Sequence, residues 1–250
     1  MSIKISIITV CFNDLSALKQ TSKSITNQKY SNIEWLVIDG GSSDGTCNFL
    51  SNNEAVAVFI SEEDNGIYDA MNKGTSLATG DYLIYLNAGD VFYEDESLDI
   101  LINTISGADV ALLGAFFKIG ESISRYRSPR SLPSVWHSVP ANHQATVFKR
   151  EVIGTLPYND GYKICGDYEL IAKLYKKNVT SKVIDHPLVI FSLGGISTTS
   201  PGLLTREAIR VQREVLELPC YVIALSWLRR QCALYANLMV CKFNGAKNEK

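Results

Sequence analysis

Asn87-Ala-Gly-Asp90 is the segment whose residue types point most directly to metal chemistry, and it follows an apolar run. A carboxylate there could hold Mg²⁺ or Mn²⁺ together with a diphosphate, because hard divalent cations prefer carboxylate oxygens and keep water and phosphate ligands. The same four residues are also ordinary turn chemistry. Taken alone, the segment favours a turn.

Asp39-Gly-Gly-Ser-Ser-Asp-Gly45 forms a glycine- and serine-rich segment between an apolar run and a short helical pattern. Glycines let a nucleotide approach the backbone closely, and an aspartate can accept a hydrogen bond from a base N–H or a ribose hydroxyl. Neither the P-loop pattern nor G-x-G-x-x-G is present. The alternative is a strand-to-helix turn capped by Asp44, and the sequence leaves both open.

The segment from Glu62 to Gly74 is dense in polar groups. Asp69 and Lys73 lie four residues apart, so on a helix they share one face and could form a surface ion pair. In the functional alternative, Lys73 faces phosphate oxygens. The two interpretations are equally supported by the sequence.

Two polar clusters stand in the second half, Asn142-His143-Gln144 and Cys165-Gly-Asp-Tyr-Glu169. Asp167 lies near the start of a predicted helix, where it would be an N-cap or, functionally, a general base. A single histidine such as His143 is more often structural than catalytic.

The elements that must position these residues alternate between strand and helix through the first 120 residues. Strand–helix alternation of this kind predicts a mostly parallel, Rossmann-like sheet flanked by helices, of the α/β class. Ligands of such sheets bind beyond the carboxyl ends of the strands. The polar clusters at 9–14, 39–44, 61–69 and 87–90 should therefore converge on one crevice. The predicted elements are strands at 4–10, 33–38, 55–60 and 82–86 and helices at 15–26, 46–50, 68–77 and 97–105.

The second half is less regular. It predicts strands at 108–117 and 144–148, a loop over 122–140, a helix over 167–175 and a strand pair within 183–191. A basic helix at 203–217 and an apolar tail follow. We therefore predict one main domain with a helical C-terminal extension.

Composition bounds the function classes. The chain has 250 residues, 46% hydrophobic and 20% charged, which excludes a disordered or fibrous chain. Its net charge of −2 argues against a nucleic-acid binder. That average conceals an asymmetry: residues 1–120 hold 6 Lys and Arg against 16 Asp and Glu, a balance of −10, whereas residues 121–250 hold 18 against 10, a balance of +8.

Cysteine usage and hydropathy predict the compartment. The 6 cysteines form no C-x-x-C pair and mostly fall in apolar runs, which favours reduced thiols and a cytoplasmic protein. The first apolar run ends at Asn13-Asp14 without a cleavage site, so we expect a buried strand and no signal peptide. The 11-residue apolar run from Leu218 to Leu228 is too short for a membrane span.

The order and spacing of the motifs resemble the inverting glycosyltransferases of family 2, which have the GT-A fold. The resemblance covers roughly residues 3–195. The chain looks especially like bacterial enzymes that build the O-antigen of lipopolysaccharide, colanic acid or other exopolysaccharides. The matching segments are Ile7-Ile-Thr-Val-Cys-Phe-Asn13, Glu34-Trp-Leu-Val-Ile-Asp-Gly-Gly-Ser-Ser-Asp-Gly-Thr46, Ser61-Glu-Glu-Asp-Asn-Gly-Ile-Tyr-Asp-Ala-Met-Asn-Lys-Gly74, Gly80-Asp-Tyr-Leu-Ile-Tyr-Leu-Asn-Ala-Gly-Asp90, His143-Gln144 and Gly166-Asp-Tyr-Glu-Leu170.

The resemblance implies a role for each matching residue. Asp167 would be the catalytic base and Asp90 a ligand of Mn²⁺ or Mg²⁺, while His143 and Gln144 would lie on the acceptor and donor side. Asn87 and Gly89 stand where many members carry carboxylates, which leaves fewer metal ligands, and Phe12 stands where Tyr is common. The nucleotide-sugar site would comprise Thr9, Phe12, Asn13, Asp39, Asp44, Asp64, Tyr68, Asn72, Lys73, Asn87, Ala88 and Gly89.

The resemblance also implies a reaction and its partners. A sugar would pass, with inversion, from a UDP- or GDP-linked donor to a hydroxyl of a saccharide acceptor linked to polyprenyl diphosphate. A GT-A domain over 1–200 would divide into a nucleotide-sugar half (1–120) and an acceptor half (121–200), followed by the extension at 201–250.

Arginines in the extension carry a further hypothesis. Arg206, Arg210 and Arg213 share one helix face, and Arg229-Arg230 interrupt the apolar tail, as in a helix lying on the cytoplasmic face of the inner membrane. A core-packing or dimer-forming helix is the alternative, so a homo-oligomer stays open.

Two other functions stay possible from the sequence. A non-catalytic module that binds nucleotide sugars or carbohydrates would fit the reduced acidic motif at 87–90. A sugar-nucleotide nucleotidyltransferase would need a glycine-rich, cationic phosphate loop after the first strand, and residues 9–14 have neither feature.

Overall fold

Strands and helices alternate through the first 105 residues of the computed structural model, which describes residues 2–119, 122–193 and 200–245. Residues 194–199 of the predicted acceptor half and 246–250 of the predicted extension lie outside the described residues. Apart from β5, which the sequence did not predict, the elements of this half agree with the sequence-based bounds to within one or two residues. They are β1 (Ile5–Cys11), α1 (Leu15–Thr26), β2 (Ile33–Asp39), α2 (Thr46–Ser51), β3 (Val56–Ser61), α3 (Ile67–Leu77), β4 (Tyr82–Tyr85), β5 (Val91–Phe92) and α4 (Ser97–Ile105).

The first four strands pair in parallel in the order β3-β2-β1-β4. Neighbouring residues alternate between the two faces of the sheet. Ile7 and Trp35 pack in one apolar cluster with α1 and α4, whereas Ile8 and Leu36 pack in another with α3. Because helices cover both faces, β1, β2 and β4 are buried on both sides and are apolar almost throughout, whereas the edge strand β3 is partly exposed.

The second half extends the same sheet with mixed pairing. Its elements are β6 (Val110–Ile119), β7 (Ser122–Arg127), β8 (Thr146–Lys149), α5 (Arg150–Ile153), α6 (Gly166–Lys176) and β9 (Ser181–Ser192). Strand β8 runs antiparallel between β4 and β6, and β9 runs parallel to β6. The mostly parallel α/β fold is thereby confirmed, with antiparallel strands added on its second side.

Two predictions for the second half are wrong. Residues 122–140, predicted as a loop, contain β7, which pairs with β6, and a 3₁₀ turn at Leu132–Trp136. The strand pair predicted within 183–191 is one long strand, β9, whose register against β6 shifts around Gly114. A proline such as Pro187 usually marks the end of a strand, but here it lies at the irregular part of the register and is accommodated within one strand.

Two helices close the described chain, α7 (Pro201–Glu214) and α8 (Cys220–Gly245). The Gln212 side chain of α7 joins them, because its Nε2 donates to the Ser226 hydroxyl of α8 at 2.7 Å and to the Trp136 carbonyl at 2.9 Å. Within the described residues, none of the helices is long and apolar enough to span a membrane.

Candidate active site

A cavity of about 690 Å³ opens where β1 and β4 end. It joins two parts of the chain that are distant in sequence: the segment after β4 and the start of α6. Its lining includes Asp14, Tyr68, Asn87, Ala88, Gly89, Asp90, His143, Gln144, Lys163, Asp167 and Ser192. A crevice is therefore present at the strand ends, with lining residues from three of the four predicted polar clusters (9–14, 61–69 and 87–90), and the second half supplies its opposite wall. No residue of the cluster 39–44 is among its lining residues.

Asp90 lies on the buried side of this cavity and is only 3% exposed. Its Oδ1 accepts a hydrogen bond from the Ser192 backbone N–H at 2.9 Å, and the Gln144 side chain donates to the same carboxyl. Burial outweighs these bonds and raises the pKa of Asp90 to about 7. A bound cation would stabilise the charged form of the Asp90 carboxylate, which burial destabilises.

The turn that carries Asp90 is held by α1 and β9. The Thr21 hydroxyl donates to the Asp90 carbonyl at 2.8 Å and accepts from the Gly89 N–H at 2.9 Å. Gly89 has a φ of +93°, a conformation that glycine adopts without strain. The glycine that replaces a possible carboxylate is thus required by the shape of this turn.

Two amide oxygens beside Asp90 are buried and lack a hydrogen-bond partner among the described residues: Asn87 Oδ1 and Gln144 Oε1. Unpaired buried acceptors are costly, so each is a place where a donor or a cation would be stabilising. Together with the Asp90 carboxylate they form a set of hard oxygen ligands of the kind that Mg²⁺ and Mn²⁺ take. Within the described residues, no group of three or more His, Cys, Asp or Glu side chains gathers in this way.

Asp167 stands in the first turn of α6, half-buried in the opposite wall. Its Oδ1 accepts the Tyr168 N–H at 2.7 Å. Burial raises the pKa of Asp167 to about 6, although this bond and the positive charge of Arg127 act in the lowering direction. A carboxylate with this pKa is mostly ionised at neutral pH and still basic enough to take a proton.

The backbone before Asp167 is fixed by Tyr68 and by Glu207 of α7. The Tyr68 hydroxyl donates to the Ile164 carbonyl at 2.6 Å, and its ring leaves no room for a Cβ at Gly166, which would lie 2.8 Å from ring carbons. The buried Glu207 carboxylate accepts the N–H groups of residues 163, 164 and 165, each at 2.9 Å. The helix of the extension therefore helps to position the loop that leads to Asp167.

His143 and Gln144 lie in the 3₁₀ turn His143–Ala145, which leads into β8. The His143 ring stacks on Tyr85 with centroids 5.1 Å apart, and its Nε2 lies 3.0 Å from the Tyr158 hydroxyl. Burial lowers the pKa of His143 to about 4, so the ring is neutral at physiological pH. Its contacts are those of a packing residue at the cavity wall.

A second group of predicted residues surrounds the end of β2. Gly40 lies between Phe12 and Asp64, because an added Cβ there would be 3.2 Å from the Phe12 ring and 3.0 Å from Asp64 Oδ2. Phe12 is 63% exposed. The Asn13 amide oxygen accepts the Ser43 N–H at 2.8 Å. These residues form an open surface with one exposed aromatic ring beside a half-buried carboxylate.

The two aspartates of the glycine-rich loop use their oxygens for hydrogen bonds inside the protein. Asp39 is fully buried and accepts from the Ser42 N–H at 2.9 Å and the Ser61 hydroxyl at 2.6 Å. Asp44 accepts the N–H groups of Leu15 at 2.7 Å and Thr46 at 3.1 Å. The Asp44 interaction is the turn-capping alternative that the sequence left open.

Three further predicted residues have partners inside the protein. Lys73 pairs with Glu62 at 2.8 Å and with Asp69 at 3.3 Å, which is the ion pair expected from their spacing. The buried Thr9 hydroxyl accepts the indole N–H of Trp35 at 2.9 Å. The Asn72 amide bonds the backbone of Tyr158 through both its atoms, at 2.8 and 3.0 Å.

The structure thus brings eight of the predicted residues to one cavity: Tyr68, Asn87, Ala88, Gly89, Asp90, His143, Gln144 and Asp167. The other eight are not among its lining residues: Thr9, Phe12, Asn13, Asp39, Asp44, Asp64, Asn72 and Lys73. Sequence reasoning missed the residues that support the carboxylates, namely Thr21, Ser192, Arg127 and Glu207. Each acts through a contact between distant segments, for which a single sequence carries no signal.

The fold has close counterparts among solved structures. TarS of Staphylococcus aureus, residues 1–349 in complex with UDP-GlcNAc, matches 92% of this chain and 73% of its own with a TM-score of 0.67 and 15% identity. The mannosyltransferase PcManGT of Pyrobaculum calidifontis, in complex with GDP-Man and Mn²⁺, matches 99% of this chain and 80% of its own with a TM-score of 0.66 and 13% identity. The architecture is that of a GT-A glycosyltransferase.

Sequence relationships define the family. The model of glycosyl transferase family 2 matches residues 6–176, and the chain belongs to this family. An uncharacterized glycosyltransferase of Mycobacterium tuberculosis is 35% identical over 179 residues, which are 68% of each chain. A PGL/p-HBAD biosynthesis glycosyltransferase of Mycobacterium bovis is 30% identical over 202 residues, 78% of this chain and 79% of its own.

Proposed function

We propose that this glycosyltransferase moves a sugar from a nucleotide-diphosphate donor to a saccharide hydroxyl with inversion at the anomeric carbon. The observation that carries the proposal is the pair Asp90 and Asp167 on opposite walls of one cavity. Asp90 is buried among amide oxygens, whereas Asp167 is half-buried at a helix start. Their environments suit different tasks, one for holding the charged end of a donor and one for moving a proton.

The donor would lie along the strand ends of the first half. Phe12 offers an exposed ring for a base, and the loop at 39–45 and Asp64 offer acceptors for base or ribose. UDP-GlcNAc in TarS and GDP-Man in PcManGT, which share this architecture, support a UDP- or GDP-linked donor here. Asp39, Asp44 and Lys73 would then shape this surface through their bonds inside the protein.

A divalent cation fits the residues around Asp90. The carboxylate and the unpaired Asn87 Oδ1 and Gln144 Oε1 would hold Mn²⁺ or Mg²⁺, and water and the donor's phosphates would complete its shell. When bound, such an ion stabilises the negative charge that develops on the departing diphosphate. Mn²⁺ in PcManGT supports this assignment.

Asp167 would accept the proton of the acceptor hydroxyl as that oxygen attacks the anomeric carbon. The other two carboxylates of the cavity are engaged, because Asp14 caps α1 and Asp90 is held by Ser192 and Gln144. One base and no carboxylate free to act as a nucleophile favour direct displacement, which inverts the configuration. The neutral His143 ring supports the wall and carries no positive charge at physiological pH.

We further propose that the acceptor is a saccharide on polyprenyl diphosphate and that the enzyme acts at the cytoplasmic face of the inner membrane in surface polysaccharide synthesis. The start of α8 supports a membrane-facing surface. Its residues Tyr221, Leu225 and Leu228 are 76%, 57% and 53% exposed and recur at helical spacing. Residues 1–120 would serve the donor and 121–200 the acceptor, and 201–250 would face the membrane.

A panel of nucleotide sugars tests the reaction. We expect one UDP- or GDP-sugar to be hydrolysed slowly with Mn²⁺ or Mg²⁺ and transferred when a lipid-linked saccharide is added. NMR of the new linkage should show the anomeric configuration opposite to that of the donor. Binding of a nucleotide sugar without hydrolysis or transfer would instead indicate a non-catalytic module, and retention of configuration would contradict the role of Asp167.

Liposome flotation tests the membrane surface. We expect the triple variant Tyr221→Ser, Leu225→Ser, Leu228→Ser to lose most of its binding to anionic vesicles, because burying each apolar side chain contributes about 1.5–3 kcal/mol. Exposed Val58 and Leu156 provide a matched control, since they lie outside α8. Equal flotation of the α8 variant and the wild type would contradict membrane contact through α8.

A further inference from the structure

Two arginines of the second half converge on one oxygen atom. Nη2 of Arg127, at the end of β7, and Nη2 of Arg130 both donate to the Val139 carbonyl at 2.7 Å. Arg130 Nη2 also donates to the Ser138 hydroxyl at 2.7 Å. Like charges this close repel each other, and the positive charge of Arg130 contributes to lowering the pKa of Arg127.

Helix α8 adds two more arginines to the same place. Arg230 Nη2 donates to the His137 carbonyl, and His137 Nε2 contacts Arg130 Nη1. The exposed Arg229 is close enough to lower the pKa of both Arg130 and His137. We refer to Arg127, Arg130, Arg229 and Arg230 as the arginine cluster.

The arginine cluster lacks balancing charge. Among the described residues, no carboxylate forms an ion pair with any of its four members. Arg210 and Arg213 of α7, in contrast, both pair with Glu214. Asp167 raises the pKa of Arg127, and burial lowers those of Arg127, Arg130 and Arg230.

Hydrogen-bonding capacity in the arginine cluster is also unused. His137 Nδ1 and Arg230 Nε are buried and have no partner among the described residues. Burial and three neighbouring arginines lower the pKa of His137 to about 4, so its ring adds no charge at neutral pH. A group with several negatively charged oxygens would satisfy both needs, and guanidinium forks match phosphate oxygens in geometry.

We infer that the arginine cluster is a phosphate subsite that holds the phosphate or diphosphate of the acceptor, an inference that rests on the proposed function. Arg127 connects the cluster with the proposed base, because the positive charge of Arg127 acts on the Asp167 carboxylate. The residues proposed for the donor come from the first half, whereas every member of the cluster comes from the second. Exposed Trp227 and Leu228 precede Arg229 directly and offer an apolar surface for a lipid tail.

Binding of geranyl diphosphate tests the subsite, with geraniol as the uncharged control. Saturating UDP and Mg²⁺ occupy the donor site first, and the fluorescence of Trp136, whose ring lies 4.5 Å from that of His137, reports binding. We expect Arg229→Gln and Arg130→Gln each to weaken binding about tenfold, the effect of losing one hydrogen bond to a charged group. Arg206→Gln, an exposed arginine of α7, is the matched control and should bind as the wild type does.

The outcomes separate the subsite from the proposed function. Equal binding of geraniol, or unchanged binding by both cluster variants with an unaltered melting temperature, overturns the phosphate subsite. Vesicles of phosphatidylglycerol provide a second arm: if they bind through Arg229 while geranyl diphosphate does not bind, the cluster holds a lipid headgroup and the inference is wrong. UDP binding and donor hydrolysis, measured on the same variants, should be unchanged, and their absence from the wild type would contradict the proposed function alone.

Discussion

Two polar regions of the molecule, the strand ends around the glycine-rich loop and the arginine cluster, are built in opposite ways. On the first-half side, the polar groups of the strand ends bond one another: Asp39 with Ser42 and Ser61, and Asp44 with the start of α1 and α2. In the arginine cluster of the second half, Arg127 and Arg130 donate to one backbone carbonyl and Arg230 donates to another, and no carboxylate forms an ion pair with a member among the described residues. The aspartates of the first region find partners in neighbouring segments, whereas the arginine cluster leaves His137 Nδ1 and Arg230 Nε without a partner among the described residues.

This difference explains the charge asymmetry along the sequence. The balance of −10 in residues 1–120 includes Asp39 and Asp44, whose carboxylates accept hydrogen bonds from nearby backbone N–H groups. The balance of +8 in residues 121–250 includes the arginine cluster, none of whose members forms an ion pair among the described residues. Net charge therefore identifies a binding surface only after internal partners have been subtracted.

Removing the proposed base should have the largest effect. We expect Asp167→Asn to lower turnover about 10³-fold, within the range typical of general-base catalysis, because the amide cannot accept the acceptor's proton. The donor dissociation constant, measured by calorimetry, should stay unchanged, since Asp167 lies on the second-half wall. A variant with near-wild-type turnover would show that Asp167 is not the base.

Removing the carboxylate that holds the loop before Asp167 should have the second-largest effect. Glu207→Ala leaves three backbone N–H groups without their acceptor, and we expect a loss of at least about 3 kcal/mol in the free energy of unfolding. Urea denaturation measures this loss. Glu214→Ala, on the same helix but exposed, should cost less than about 1 kcal/mol. Equal losses in the two variants would show that Glu207 does not support the loop.

The metal side can be tested by stability. Asp90 has a folded-state pKa of about 7 against an ordinary value of 3.8, so its charged form destabilises the metal-free fold above about pH 4. We expect Asp90→Asn to gain about 2 kcal/mol at pH 7, where its amide can donate to a neighbouring unpaired oxygen. The gain should vanish near pH 4, and Mn²⁺ should no longer raise the melting temperature. A Mn²⁺ response equal to that of the wild type would exclude Asp90 as a ligand.

The pH dependence of the reaction sharpens the assignment of Asp167. Its active form is the carboxylate, and its pKa lies near 6, raised from 3.8 by burial. We therefore expect kcat/KM to be constant above about pH 7 and to fall tenfold per unit below about pH 6. Initial rates in buffers of constant ionic strength measure this profile. A rate that rises as the pH falls would contradict a base at this position.

The smallest effect is expected at Lys73. Its ion pairs with Glu62 and Asp69 lie at the surface, so Lys73→Gln should change the free energy of unfolding by less than about 1 kcal/mol. If Lys73 also faces donor phosphate, Lys73→Gln should raise the KM for the donor about threefold or more, because the variant loses a weak charge contact. Lys23→Gln on α1 is the control, and equal KM values in both variants would leave Lys73 as an ion-pair residue.

Periodicity predicted the first half of the fold because its information is local. Strand β1 and helix α1 are each visible as a short apolar or amphipathic run, and parallel pairing follows from their alternation. Strand β7 could not be predicted in this way, since Ser122–Arg127 is polar and extends only because it pairs with β6. The unbroken β9 likewise depends on register shifts against β6, which no run of its own residues encodes.

The candidate site divides along the same line. Asp90 and Asp167 were found through motifs, and the cavity joins them as expected. Their pKa shifts were not predictable, because both arise mainly from burial by distant segments. The arginine cluster was invisible for the same reason: Arg127, Arg130 and Arg229 lie about 100 residues apart at most, and only the packing of α8 against the 3₁₀ turn brings them together.

The three hydrogen bonds to Glu207 limit where this chain can be divided to make chimeras with relatives. A boundary between residues 200 and 201 would separate α7 from the loop at 163–165 that it supports. A chimera that exchanges the acceptor half for that of a relative should therefore carry α6 and α7 together, with the fusion point after Glu214. The helix that carries Asp167 and the first helix of the extension should therefore be exchanged as one unit.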